Sequence, residues 1–341
     1  MEDPVLQLVQ LDEQRWPTVD PFLNCVHHVD TYPEGNEAMG PDAPLDGRDI
    51  GSDFAGIDGW RMYHGDTVPG FPAHPHRGFE TVTYVRSGLI DHADSLGATA
   101  RYGRGDVQWL TAGRGIQHAE MFPLVERDAP NPMELFQIWV NLPGSHKLVD
   151  PTFTMFADRD VPRVVTGADA DEARTTVTVI AGAFDGTDAL APPPDSWAAD
   201  PASDLAIWHL VFEPGASVTL PGARSRETLR TLYVFDHGSL TIAGHPDTIG
   251  FDTAVAVHPE HAVELHSDDG TEVLVLAGVP IGEPVASYGP FVMNTREEIA
   301  ATIDEYQRTR FGGWPWPSDS PVHPRSEGRF ARHADGRFED L

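Results

Sequence analysis

Short apolar runs rich in Val, Thr, Leu and aromatic residues, each closed by polar turn residues, recur from one end of this chain to the other. They predict strands at 60–64, 80–86, 89–93, 106–110, 117–121 and 133–140. A second series is predicted at 175–181, 205–212, 229–235, 239–243, 253–257, 262–266 and 272–277. Turn signals such as Ser87-Gly88, Gly103-Arg104-Gly105-Asp106 and Asp268-Asp269-Gly270 separate the runs, and the 30 prolines and 32 glycines are scattered throughout. That texture is all-β. Two series, parted near the polar stretch 142–164, suggest two small barrels or sandwiches. Residues 188–202, with Pro192-Pro193-Pro194, read as an exposed loop.

One helix stands out late in the chain. Thr295 with Glu298 three residues on forms a capping box, Ile299, Ile303 and Tyr306 follow at helical spacing, and Gly312-Gly313 stops the run. A single apolar stripe packs such a helix on a barrel. The two halves also echo each other weakly: Phe71-Pro72-Ala73 leading to 80–85 and Gly88 is matched by Leu220-Pro221-Gly222 leading to 229–234 and Gly238.

Composition narrows the chemistry. With 341 residues and 40% hydrophobic residues there is material for two real cores. No stretch is apolar enough to span a membrane and the start lacks a basic segment followed by an apolar one, so a cytoplasmic protein is expected. Cys25 is the only cysteine, which excludes an intrachain disulfide and any zinc site built on several thiolates. The formal charge of -30, with Lys147 the sole lysine, disfavours direct nucleic-acid binding. It reads either as a solvated acidic surface or as adaptation to high salt, where the Debye length shrinks to about 3 Å at 1 M.

A metal must therefore be held by His and carboxylates, and two places offer them. In His74-Pro75-His76 the imidazoles are two residues apart, which in an extended chain puts both on one face; Pro75 disfavours helix at His74. His118-Ala119-Glu120 repeats the device with a carboxylate. If the two strands meet inside a barrel, three imidazoles and one carboxylate converge, a nitrogen and oxygen set suited to Fe(II), Mn(II), Ni(II), Co(II) or Zn(II) and leaving positions open for water, dioxygen or a substrate oxygen. Glu80, four residues after His76, also points inward if the strand is unbroken, and parity does not choose between Glu80 and Glu120.

The run from His74 to Tyr84, then Asp94-Ser95-Leu96-Gly97, then Gly105 to Met121, closely resembles the pirin family signature; Gly282-Glu283-Pro284 and 289–295 resemble the end of the same family. The resemblance implies an all-β protein of two tandem cupin (jelly-roll) barrels with a short C-terminal helix. It implies iron, with Mn, Ni, Co, Zn or Cu as other candidates, bound by His74, His76, His118 and Glu120, and it makes Glu80 an outer residue that orients a ligand. On it we expect a metal-binding barrel at 1–145, a metal-free barrel with the capping helix at 146–311, and a flexible tail at 312–341, with a docking tail as the alternative. Two activities go with the family: oxidation of flavonols such as quercetin by O2, or an iron-dependent regulatory role bound to a transcription factor or metabolic enzyme. For the first, Glu120, once loosened from the metal, is expected to take the hydroxyl proton.

Other signals carry less. Positions matching His74 and His76 in the second half fall near Ala223, Arg224 and Ser225, so that barrel is expected to lack a metal, with His258, His261 and His266 as ordinary histidines. Gly113-Arg114-Gly115 lacks a βαβ context and reads as a turn. His27-His28 and His92 lie in strand-like text and are not expected to be ligands, and Trp314 and Trp316 read as a clasp of the tail.

Overall fold

The computed structural model describes residues 3–12, 15–167 and 173–341. It is almost entirely β, with one α-helix at Arg296–Thr309 among the described residues, and no helix long and apolar enough to cross a membrane. Most predicted strands are present within a residue or two, among them Phe79–Ser87, Leu89–Asp94, Val107–Thr111, Ile116–Met121, Thr175–Ala181 and Thr253–Val257.

Two compact units form, and they do not follow the chain in order. The first comprises 27–138, 142–158 and 283–341; the second comprises 1–26, 139–141 and 159–282. The expectation from sequence divided the chain consecutively at 145. Strand Val5–Gln10 leaves the front of the chain to pair antiparallel with Thr253–Val257, completing a seven-stranded sheet. Helix Arg296–Thr309 and the tail belong to the unit that carries His74, not to the later barrel.

The His74-bearing unit contributes all or most of each strand of a sheet that runs Thr152–Phe156, Val107–Thr111, Phe79–Ser87, Asn131–Asn141, Phe22–Tyr32. The other runs Phe338–Asp340, Phe330–Arg332, Thr99–Gly103, Leu89–Asp94, Ile116–Met121, Gly70–His76. Tyr32, Val85, Leu110 and Leu135 from the first meet Ile90, Ala100, Tyr102 and Ile116 from the second in one buried cluster, so the sheets face each other. The helix is capped as its sequence requires: Thr295 accepts from the Glu298 amide and Glu298 from the Thr295 amide. Its Ile299 side packs on Phe291 and Met293. Arg77 ties it to the strands, donating to Glu305 at 2.8 Å and to the Arg114 carbonyl at 2.6 Å.

The tail takes the docked alternative. Phe330–Arg332 adds to strand Thr99–Gly103, and the buried Arg101, bidentate on Asp91 at 2.7 Å, donates to the carbonyls of His323, Pro324 and Glu327. A guanidinium with five donors is satisfied only with that segment in place. Trp316 donates to the Asp94 carbonyl at 2.7 Å, the clasp its position suggested.

The second unit packs its seven-stranded sheet against a four-stranded one of Ala216–Leu220, Val263–Ser267, Ser239–Ile242 and Ile249–Gly250. Alternate residues, Trp208/Leu210, Leu232/Val234, Val255/Val257 and Val273/Val275, supply its core. Residues 223–225 lie outside any strand there, and His266 hydrogen-bonds Ser217 and Asp268 at the surface.

One predicted strand is absent. Residues 60–64 follow a 3-10 turn at Ile57–Gly59 and make only isolated bridges through Tyr63, to Asp53 and to Gly70.

Candidate metal centre

Strand Gly70–His76 pairs antiparallel with Ile116–Met121, and His74 stands directly opposite His118. Opposed residues of an antiparallel pair project to the same side, so the two imidazoles lie together. Period two adds His76 from one strand and Glu120 from the other. An irregularity between Phe71 and His74 sets Phe71 opposite Glu120. Ring centroids are 4.5 Å apart for His74 and His118, and 4.8 Å for both His74–His76 and His76–His118. One nitrogen from each of the three lies within 4.8 Å of the others, the sole such grouping of three or more His, Cys, Asp or Glu among the described residues.

The surroundings prepare these rings for a cation. His74 Nδ1 lies 2.8 Å from the Pro72 carbonyl; a carbonyl only accepts, so Nδ1 carries the proton and Nε2 keeps its lone pair. Neither nitrogen of the buried His118 has a hydrogen-bond partner, although such atoms are costly to leave unsatisfied. Burial lowers the His74 pKa to about 4 and holds His76 and His118 well below the usual histidine value, so all three are neutral imidazoles, the form that ligates. This donor set, with both nitrogens of His118 lacking a hydrogen-bond partner, fits a divalent transition metal.

Glu120 is outside the three-histidine grouping but adjoins it, with Oε2 at 3.7 Å from His118 Nε2. Thr83 donates to Gln137 Oε1 at 2.6 Å, and Gln137 Nε2 donates to Glu120 Oε2 at 3.3 Å. Burial pushes the Glu120 pKa up to about 7, against the opposing pull of His92, Gln137 and Thr83.

Glu80 goes elsewhere. The chain turns at Arg77-Gly78 between Gly70–His76 and Phe79–Ser87, which lie in different sheets, so parity does not carry across. Three residues from the inward Thr83, Glu80 takes the opposite face, where it accepts from Thr111 at 2.7 Å. Sequence reasoning passed over Gln137 and Thr83, whose only signal is that they alternate with core residues of their strands. It also undervalued His92, not as a ligand but as a wall: it pairs across from Glu120, lies 5.5 Å from the His118 ring and stacks on Phe153.

The pirin family pattern matches residues 50–140, and that of the pirin C-terminal cupin domain matches 207–312. A Pseudomonas aeruginosa protein whose name marks it as a provisional quercetin 2,3-dioxygenase is 40% identical over 71% of this chain and 80% of its own. The chain belongs to the pirin family. Human pirin, 33% identical over 73% of this chain and 80% of its own length, is a further relative. A solved quercetin 2,3-dioxygenase from Acinetobacter baumannii superimposes with a TM-score of 0.71 at 25% identity, covering 92% of this chain and 99% of that one. The fold is therefore the pirin pair of cupin domains, and the three histidines converge within the first of the two matched regions.

Proposed function

We propose that this chain is a dioxygenase acting on quercetin-like flavonols with O2, its ion Fe(II) held by His74, His76, His118 and Glu120. The observation that carries the reading is the convergence of three neutral imidazoles beside a buried carboxyl, in a chain 40% identical to a provisional quercetin 2,3-dioxygenase. The nitrogen and oxygen donors also accommodate Mn, Ni, Co, Zn or Cu. A bound ion would supply Lewis acidity and redox contact with dioxygen.

The chain's own groups do the rest. His118 and Glu120 are buried while His74 is partly buried, so His74 is the ligand nearer to solvent. Once released from the ion, Glu120 would accept the flavonol hydroxyl proton at Oε2, burial having raised its proton affinity in the metal-free protein. Gln137, oriented by Thr83, holds that oxygen in place. The test is metal analysis of the purified protein followed by oxygen-electrode assay with quercetin. O2 uptake by the iron-loaded protein, lost in a folded Glu120→Ala variant, supports the reading; uptake that persists in that variant or after removal of all metal refutes it. Iron-loaded protein inert toward flavonols leaves the regulatory alternative.

A further inference from the structure

Strand Phe22–Tyr32 places His28, Asp30 and Tyr32 on the face that lines the interior, since Tyr32 belongs to the core of the unit. His28 is half-buried, and its Nδ1 lies 2.9 Å from the Tyr63 hydroxyl. That hydroxyl donates its one proton to Asp30 Oδ2 at 2.6 Å, and Arg61 lies 3.2 Å from the other Asp30 oxygen. Tyr63 must therefore accept from His28, so Nδ1 carries the imidazole proton and Nε2 presents a lone pair. Nε2 has no hydrogen bond to the described residues.

The arrangement is held under strain. Tyr63 adopts φ 55, a left-handed conformation unfavourable for a bulky residue. It is kept there by reciprocal backbone hydrogen bonds with Asp53 at 2.8 and 2.9 Å. Asp53 is itself fixed by Arg48 at 2.9 Å and the Met62 amide at 3.0 Å, with Arg48 flat on Trp60. A strained residue this firmly over-determined marks a site where a side chain is being aimed. The other bridge from Tyr63 is to Gly70, the first residue of the strand that carries His74 and His76.

Phe71 joins the two features. Its half-buried ring lies 5.8 Å from His28 and 6.3 Å from His74, with Tyr63 at 5.0 Å and Phe122 at 6.0 Å around it. Phe71 is thus in ring contact with both His28 and His74, the nearest aromatic surface common to the Tyr63-held histidine and the three-histidine site. We propose that His28, its tautomer set by Tyr63 and Asp30, accepts a hydrogen bond from a hydroxyl of a flat polyphenol that lies against Phe71 and reaches the histidine site through its chelating oxygens. This rests on the flavonol reading and adds the residue that selects hydroxylated ligands. His28 touches the ligand; Tyr63 and Asp30 are positioning residues.

The test compares quercetin with 3-hydroxyflavone, which keeps the chelating oxygens and lacks the outer hydroxyls. Both are titrated anaerobically against the full-length Fe(II)-loaded protein, so binding is read without turnover. Wild type should prefer quercetin by about tenfold, the usual scale of one good hydrogen bond. His28→Phe should erase that preference with 3-hydroxyflavone binding unchanged, and Tyr63→Phe, which keeps the ring, should reduce it by several-fold. An unaltered preference in both variants, or equal weakening of both ligands, overturns the proposal and leaves the flavonol reading standing. Failure of both flavonols to bind the loaded wild type overturns both.

Discussion

Gly78 offers a quantitative test of how the metal-bearing strand is terminated. It has φ +83, and a Cβ built on it would lie 1.9 Å from the Val292 carbonyl oxygen and 3.2 Å from Met293 Sδ. The backbone there is held from three sides: Gly78 donates to the Gly113 carbonyl at 2.9 Å, its carbonyl accepts from Lys147 at 2.9 Å, and Val292 donates to the Arg77 carbonyl at 3.0 Å. Gly78→Ala therefore costs about 1–2 kcal/mol for the left-handed conformation. Relieving the overlap breaks about two further hydrogen bonds at about 1 kcal/mol each. The sum is about 3–4 kcal/mol. Gly97 is the control: φ is +94, but nothing lies within 4 Å of its Cβ position, so Gly97→Ala should cost only the conformational part. Calorimetry of both variants, with and without metal, measures the difference, the transition of this unit being the one that metal shifts. Equal losses in the two variants would refute the reasoning. Metal affinity should also fall in Gly78→Ala alone, because His76 lies two residues before the turn.

Four further outcomes are expected. In the metal-free protein the three buried histidines have folded pKa values below the unfolded value, so their contribution is present above about pH 6.5 and is lost as pH falls. The raised Glu120 opposes them with one proton, and urea midpoints should still drop with acidification, less steeply in His118→Phe. Arg101→Leu strands Asp91 without its cation and should destabilise by about 3–5 kcal/mol, seen as a lowered urea midpoint. Gln137→Leu should keep the metal, measured by elemental analysis, while lowering kcat for quercetin by about tenfold or more, because Glu120 loses its donor. If the net charge of -30 reflects a high-salt habitat, unfolding midpoints should rise from low to molar salt; a flat response removes that idea.

The histidines were legible because their information is local. His74 and His76 share a face by period two, as do His118 and Glu120, and the glycine turn between hairpin strands lets the pairs meet. The helix was legible for the same reason, since its capping box and stripe lie within a dozen or so residues. What escaped depends on partners distant in the chain. Strand Val5–Gln10 takes its place only beside Thr253–Val257, and Phe330–Arg332 only beside Thr99–Gly103. Glu80 could not be assigned because one turn at Gly78 resets the parity on which the argument stood. Residues 60–64 carry strand-like composition, yet bulky aromatics there serve a strained bridge around Tyr63, where tertiary clamping overrides propensity.

The interleaved assignment of the chain to its two units bears on how the protein is made. The unit that begins at residue 27 needs 283–341, and the one that begins at residue 1 needs strands as late as Thr271–Gly278. A ribosome therefore exposes unfinished sheets of both units until the strands near residue 275 and the segment 283–341 have been made, the situation in which nascent β proteins lean on chaperones. A metal ion delivered during synthesis would meet His74, His76 and His118 before the helix that braces their strands has emerged, so loading after release is the order this architecture favours.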